Sequence, residues 1–154
     1  MELTSPAFEE SGIIPSRYTC EGANISPPLE ISHVAPSVKS LVLIMDDPDV
    51  PEHIRQERIW DHWIIFNINP AIRKIPELTG PISGVHGKTT FGHTRYGGPC
   101  PPDREHRYFF KLYALDILLS LKEGATKKEI EQAMEGRIIE QTQLMGRYEK
   151  GKGY

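Results

Sequence analysis

The segment Leu41-Val42-Leu43-Ile44-Met45-Asp46-Asp47-Pro48-Asp49-Val50-Pro51, answered after a polar excursion by Trp60-Asp61-His62-Trp63-Ile64-Ile65-Phe66, decides the fold. Its first five residues form an unbroken apolar run, the pattern of a buried strand. The run breaks into an acidic turn held by two prolines, which fix φ and remove two backbone donors, so the corner is stiff. The second run begins with an aromatic and a histidine. Side by side, the two strands bring carboxylates and an imidazole to one edge of a sheet. Stiffness at such a cluster is what a preformed site needs.

Outward from this pair, the chain reads as short extended pieces separated by turns. Leu3 to Phe8 predicts an edge strand interrupted by Pro6. Ile13-Ile14 precedes Pro15 and is therefore extended. Leu29-Glu30-Ile31 predicts a further short strand. Glu52 to Arg58 is polar and reads as a surface excursion, while the second long strand runs from Trp60 to Ile68. From Ala71 to Arg107 no periodicity survives. Its end, Gly97-Gly98-Pro99-Cys100-Pro101-Pro102, is too rich in proline to be slack, which predicts an ordered loop system. Tyr108 to Asp116 carries apolar residues on both faces, the mark of a central strand in a layered structure. Thr126-Lys127-Lys128-Glu129 is a capping box that opens a helix with Ile130, Ala133 and Met134 as its apolar stripe and Gly136 past its end. Ile139 to Tyr148 is assigned as strand, because Gly136 stops the helix, and residues 150–154 as a frayed end.

Composition narrows the class. With 154 residues the chain is read as one domain over 1–154. Thirteen prolines and thirteen glycines favour a loop-rich β protein over a helix bundle. A net charge of −3 argues against a general nucleic-acid binder. No apolar run approaches the length of a membrane span, and the first residues do not read as a signal peptide, so the expected location is cytoplasmic. In a reducing compartment Cys20 and Cys100 are expected as free thiols.

Asp46, Asp47, Asp49, His62 and His106 are the ionisable groups expected to converge. Aspartates in Asp-Pro turns commonly accept backbone N–H bonds, and that reading is preferred for Asp46. For His62, a satisfied core histidine competes with a ligand-binding one; His33, His53, His86 and His93 lack a carboxylate-rich context. The favoured chemistry is an anion pocket with a cationic His62 beside a carboxylate, His106 as a second donor, and close-approaching N–H groups around Gly97-Gly98. In it, Asp47 or Asp49 accepts from a protonated phosphate oxygen. His106 is expected at a pocket-lining loop end with few core contacts. The competing class is a metal-dependent hydrolase using the same aspartates and histidines, although no tight ligand motif is present. A Cys100–His106 nucleophilic pair is a remote third.

Several of these pieces together resemble the phosphatidylethanolamine-binding protein family, in its bacterial and archaeal Raf-kinase-inhibitor-like branch. The segments that carry the resemblance are Ser5-Pro6-Ala7-Phe8, Asn24-Ile25-Ser26-Pro27-Pro28-Leu29, Asp46 to Pro51, His62-Trp63, Tyr96 to Pro102, His106-Arg107-Tyr108 and Leu144 to Tyr148. The resemblance implies a mainly β fold, a sandwich of antiparallel sheets with a few peripheral helices. It implies a small pocket for phosphate-type anions or phospholipid headgroups, with a kinase or a protease as the regulated partner. By the same resemblance Asp47, Asp49, Trp60, His62, Gly98, Pro99, His106 and Tyr108 form the ligand site. No catalytic residue, cofactor or bound metal is expected. The proline corner is expected to carry a cis Val50-Pro51 bond.

Overall fold

A computed structural model of the chain describes residues 1–77 and 83–152. The strands are β1 (Glu2–Thr4), β2 (Gly12–Ile13), β3 (Leu29–Ser32), β4 (Ser40–Asp47), β5 (Trp60–Ile68), β6 (Lys74–Ile75), β7 (Val85–His86), β8 (His106–Leu115) and β9 (Ile138–Tyr148), with a helix α1 (Lys127–Met134) between β8 and β9. They form a three-stranded sheet in the order β1-β3-β6 and a six-stranded sheet in the order β2-β9-β8-β4-β5-β7. Every pairing is antiparallel except that of β2 with β9, which is parallel.

All eight residues of β4 are buried, because both faces of the large sheet are covered. On one face Leu41, Leu43 and Met45 join Phe110, Leu112 and Ala114 of β8, packing with Leu3, Leu29, Ile31 and Ile75 of the small sheet. On the other, Val42, Ile44, Ile64 and Phe66 meet Ile130 and Met134 of α1. Period-2 alternation thus sorts the continuous apolar run into two cores. It also sorts the two aspartates that follow: Asp46 lies on the helix side and Asp47 on the sandwich side.

The helix begins at the predicted capping box: the Thr126 hydroxyl accepts from the Glu129 N–H, and the Glu129 carboxylate accepts from the Thr126 N–H at 3.0 Å. Residues 138–148 are strand, paired along nearly all of β8. Among the described residues no peptide bond is cis, so the Val50-Pro51 bond is trans, contrary to expectation; the corner is held by hydrogen bonds instead. The loop system after β5 is ordered where described and contributes β6 and β7, while residues 78–82 of it, and residues 153–154 of the end expected to fray, lie outside the described residues.

Candidate functional site

A cavity of about 220 Å³ opens at the end of the sandwich core where β4 finishes and β5 and β8 begin. Its polar walls are Asp47, Trp60, His62, His106 and Tyr108. Its apolar walls are Val50, Ile54, Phe91, Pro101 and Pro102, together with Cys100. The volume lies below the roughly 300–1,000 Å³ of sites for drug-sized molecules, so it suits a small group.

His62 reaches this cavity through an irregularity. Across the β4–β5 pair, Met45 faces Trp63, Asp46 faces Asp61 and Asp47 faces Trp60, leaving His62 without a partner. Strict alternation would send it with Ile64 toward the helix. The extra residue of a bulge re-aims it to the sandwich side, beside Trp60. Its ring sits edge-on to Tyr108 and Phe91 at 5.3 and 5.4 Å between centroids.

The protonation of His62 differs from the expectation. The ring is 4% exposed, and its Nδ1–H donates to the Gly97 carbonyl at 2.6 Å. Burial lowers its pKa to about 4, outweighing that hydrogen bond and the field of Asp46. The imidazole is therefore neutral near pH 7, with Nε2 left as an acceptor rather than the cationic donor first proposed.

His106 is also placed otherwise than expected. It is fully buried within β8, with Nδ1 2.6 Å from Asp47 Oδ2 and Nε2 2.7 Å from Asp103 Oδ1. Both ring nitrogens are thus engaged by carboxylate oxygens. Neither nitrogen is free to serve a ligand, and the residue is a core contact rather than a loop-end side chain. The His106 hydrogen bond holds the Asp103 carboxyl below its ordinary range. Asp47 is pushed above its ordinary range by burial, against the hydrogen bonds from His106 and from the Asp49 N–H at 2.7 Å.

Asp49 does not line the cavity. Its carboxylate accepts from Arg107 Nε and Nη2 at 3.0 and 2.9 Å and from the Arg107 N–H at 2.9 Å, and the Arg107 side chain holds its pKa below the ordinary range. Gly98 and Pro99 stand behind the wall. The Gly98 N–H donates to Asn24 Oδ1 at 2.8 Å, and the Gly97 N–H to the His62 carbonyl at 3.0 Å, so neither amide is available as an anion donor. A Cβ on Gly98 would lie 2.3 Å from the Tyr18 carbonyl oxygen, so glycine is required there for packing against the 16–24 loop. That contact is reinforced by Tyr96 Oη donating to the Tyr18 carbonyl at 2.8 Å and by the Cys20 N–H donating to the Pro99 carbonyl at 3.1 Å. Beside them Cys20 and Cys100 form a disulfide with Cα atoms 5.4 Å apart, which overturns the expectation of free thiols. Two cysteines eighty positions apart meet because the glycine wall docks on the loop. The disulfide also removes Cys100 as a nucleophile.

Asp46 bonds to side chains rather than backbone: it accepts from Lys111 at 2.9 Å and Lys127 at 3.2 Å, and Lys127 also reaches Asp61 at 3.0 Å. This network lies across the sheet from the cavity. No group of three or more metal-ligating side chains is gathered among the described residues. With Asp49 and both His106 nitrogens committed, the hydrolase reading is left with Asp47 and His62 Nε2 alone.

The Tyr108 hydroxyl and Trp60 Nε1 are closed off from solvent without a well-formed hydrogen bond. Burial, aided by the Asp47 carboxylate through its charge and a hydrogen bond, pushes the Tyr108 pKa far up, so the phenol keeps its proton. Buried polar groups normally find partners, and exceptions point to something that completes them. Sequence reasoning missed Ile54, Phe91 and Asp103. Phe91 is an isolated aromatic in an aperiodic stretch and gave no signal; Asp103 stands three residues before His106, a spacing that could have suggested the contact.

The chain is thus a β-sandwich with a small cavity at one end of its central strands. The family model for phosphatidylethanolamine-binding proteins matches residues 4–149, and the chain belongs to that family. A UPF0098 protein of Methanothermobacter thermautotrophicus is 46% identical over 98% of this chain and 100% of its own. The crystal structure of a phosphatidylethanolamine-binding protein homolog of Chlamydia trachomatis superposes with a TM-score of 0.93 at 49% identity, covering 96% of each chain. Escherichia coli YbcL, described as a member of the mammalian family, superposes with a TM-score of 0.85 at 27% identity, over 96% of this chain and 97% of its own.

Proposed function

We propose that this chain is a non-catalytic, ligand-responsive binding protein whose cavity takes one small phosphate-type group. Family membership supports a binding or regulatory role in general. The observation that carries the finer reading is a small cavity that gathers Asp47, Trp60, His62, His106 and Tyr108 at one end of the sandwich, with His62 Nε2 left without a protein partner. Phe91 and Ile54, exposed at 42% and 46%, offer an apolar mouth for whatever the phosphate is attached to. With His62 neutral, binding is not driven by net positive charge.

No helix among the described residues is long and apolar enough to cross a membrane. The Cys20–Cys100 pair favours an oxidising compartment, or a hyperthermophile interior, over the reducing cytoplasm first expected.

The test is a nuclear magnetic resonance titration with inorganic phosphate. Saturable shifts centred on the Trp60 indole N–H and on the amides of Asp47, His62 and Tyr108 are the expected outcome. Shifts confined to surface lysines and arginines, or none, would refute the assignment.

A further inference from the structure

The edge of the large sheet at β9 is mostly open. Strand β2 pairs with β9 only at Gly146 and Arg147. The turn before β2 covers Met145, whose carbonyl accepts from the Ser11 N–H at 2.8 Å and whose N–H donates to Glu10 Oε2 at 2.8 Å. Met145 therefore points its backbone groups away from β8. That direction repeats at every second residue of a strand, so Gln143 and Gln141, opposite Lys111 and Tyr113, point theirs the same way. Among the described residues nothing bonds to these two N–H and two C=O groups. Unpaired groups in such a row are a template for a further strand. We propose that this edge docks an extended, basic peptide segment of a partner protein, which adds to the six-stranded sheet beside β9.

Charge identifies the occupant. Between β9 and β1 lies a groove of about 410 Å³ that shares no lining residue with the cavity at the end of the sandwich. Leu3, Phe8 and Leu144 form its floor, and the exposed carboxylates of Glu2, Glu9 and Glu10 its rim, while neither lysine nor arginine lines it. Its far wall is a second open edge. The Ile31 N–H donates to the Arg73 carbonyl, toward β6, so Leu3, opposite Ile31, turns its backbone away from β3. A strand laid along β9 sends alternate side chains into this groove. The apolar floor suits the stems of lysine or arginine, and the acidic rim suits their charges. Exposed edges are commonly guarded by lysine or proline. The segment Ile138–Leu144 has neither, and its one charged side chain, Glu140, is paired with the Met1 amino group. A second copy of this chain would set the same three carboxylates against themselves, which disfavours self-pairing and selects a partner of opposite charge.

The probe is the end-capped peptide Lys-Val-Lys-Val-Lys-Val, titrated into the ¹⁵N-labelled protein and followed by nuclear magnetic resonance. Saturable shifts centred on Leu3 and on residues 141–144 are expected, with amide exchange at Gln141 and Gln143 slowed by about tenfold or more. The same peptide methylated on every backbone nitrogen keeps its charge and loses its donors, so it should bind about tenfold more weakly or worse. The Glu-Val counterpart should not bind. Replacing the rim carboxylates, Glu2→Gln with Glu9→Gln, should weaken the basic peptide by about threefold or more. Gln143→Pro deletes one outward N–H and no bond to β8, and should weaken binding by about tenfold. If that variant does not fold, the methylated peptide tests the same hydrogen bonds on the unaltered chain. Equal affinity for the methylated peptide, binding of the acidic one, shifts centred elsewhere, or no binding overturns the proposal. Self-association of the chain that Gln143→Pro abolishes would assign the edge to a second copy instead, and overturns it too.

Discussion

His62 shows how one residue can belong to the core and the site together. A β-bulge turns it toward the cavity, and a hydrogen bond to Gly97 fixes its tautomer. Its folded pKa, about 4, lies below the unfolded value near 6.5. Between those values the unfolded chain binds more protons, so stability is present above pH 6.5 and drains away as pH falls toward 4. The depression corresponds to something on the order of 3 kcal/mol, taking about 1.4 kcal/mol per unit. We expect ¹⁵N imidazole shifts at pH 7 to show a neutral ring protonated on Nδ1, with a titration midpoint well below 6; a midpoint at or above 6.5 would contradict the tautomer and the acceptor role. His106 carries a different expectation. Removing it strands the buried Asp47 carboxylate, and breaking such a pair costs about 3–5 kcal/mol. His106→Ala should therefore lower the urea midpoint sharply, and a variant as stable as wild type would place His106 outside the core. The bulge is the reason sequence alone misjudged His62: Trp60-Asp61-His62-Trp63 shows which residues are present, but not that one of them is skipped in the pairing.

At the scale of elements, the legible parts were those whose signal is local. The apolar run of β4, the boundaries of β5, the two-faced pattern of β8 and the capping box of α1 all carry their cause within a few residues. What could not be read depends on contacts between distant segments. The docking of the 96–102 wall on the 16–24 loop is one example, and it joins Cys20 to Cys100 and commits the Gly97 and Gly98 amides inside the protein. Beyond Cys100 the cavity-lining Pro101 and Pro102 follow directly, so the disulfide anchors one end of that wall. Closing a loop across 80 residues by a disulfide contributes about 2–4 kcal/mol. Reduction with a dithiol should lower thermal stability accordingly and loosen the wall, read as faster amide exchange at residues 98–102. Unchanged stability and exchange after complete reduction would show that hydrogen bonds alone hold the wall.

Across the whole molecule, the two faces of the large sheet are used differently. The helix-covered face closes on a charged network, Asp46 and Asp61 held by Lys111 and Lys127, in which every carboxylate has a cation. The sandwich face ends in a cavity lined by Asp47, Trp60, His62, His106 and Tyr108, with neither lysine nor arginine in its lining. The proline-rich corner and the docked 96–102 segment hold the walls of that cavity in place. A mainly β class followed from composition and pattern, and the convergence of Asp47, His62 and His106 from the strand ends, whereas the sandwich and the places of Trp60 and Tyr108 came from the family resemblance; protonation states were not legible, because burial and partner choice set them. The central claim is that this cavity takes a small phosphate-type group. The direct measurement is a crystal structure of the protein grown with inorganic phosphate at pH 5.5. The account predicts phosphorus inside the cavity, with one oxygen within about 2.5–3.2 Å of Asp47 or His62 Nε2. A cavity holding only water at saturating ligand, or a phosphate bound on surface cations instead, would contradict it.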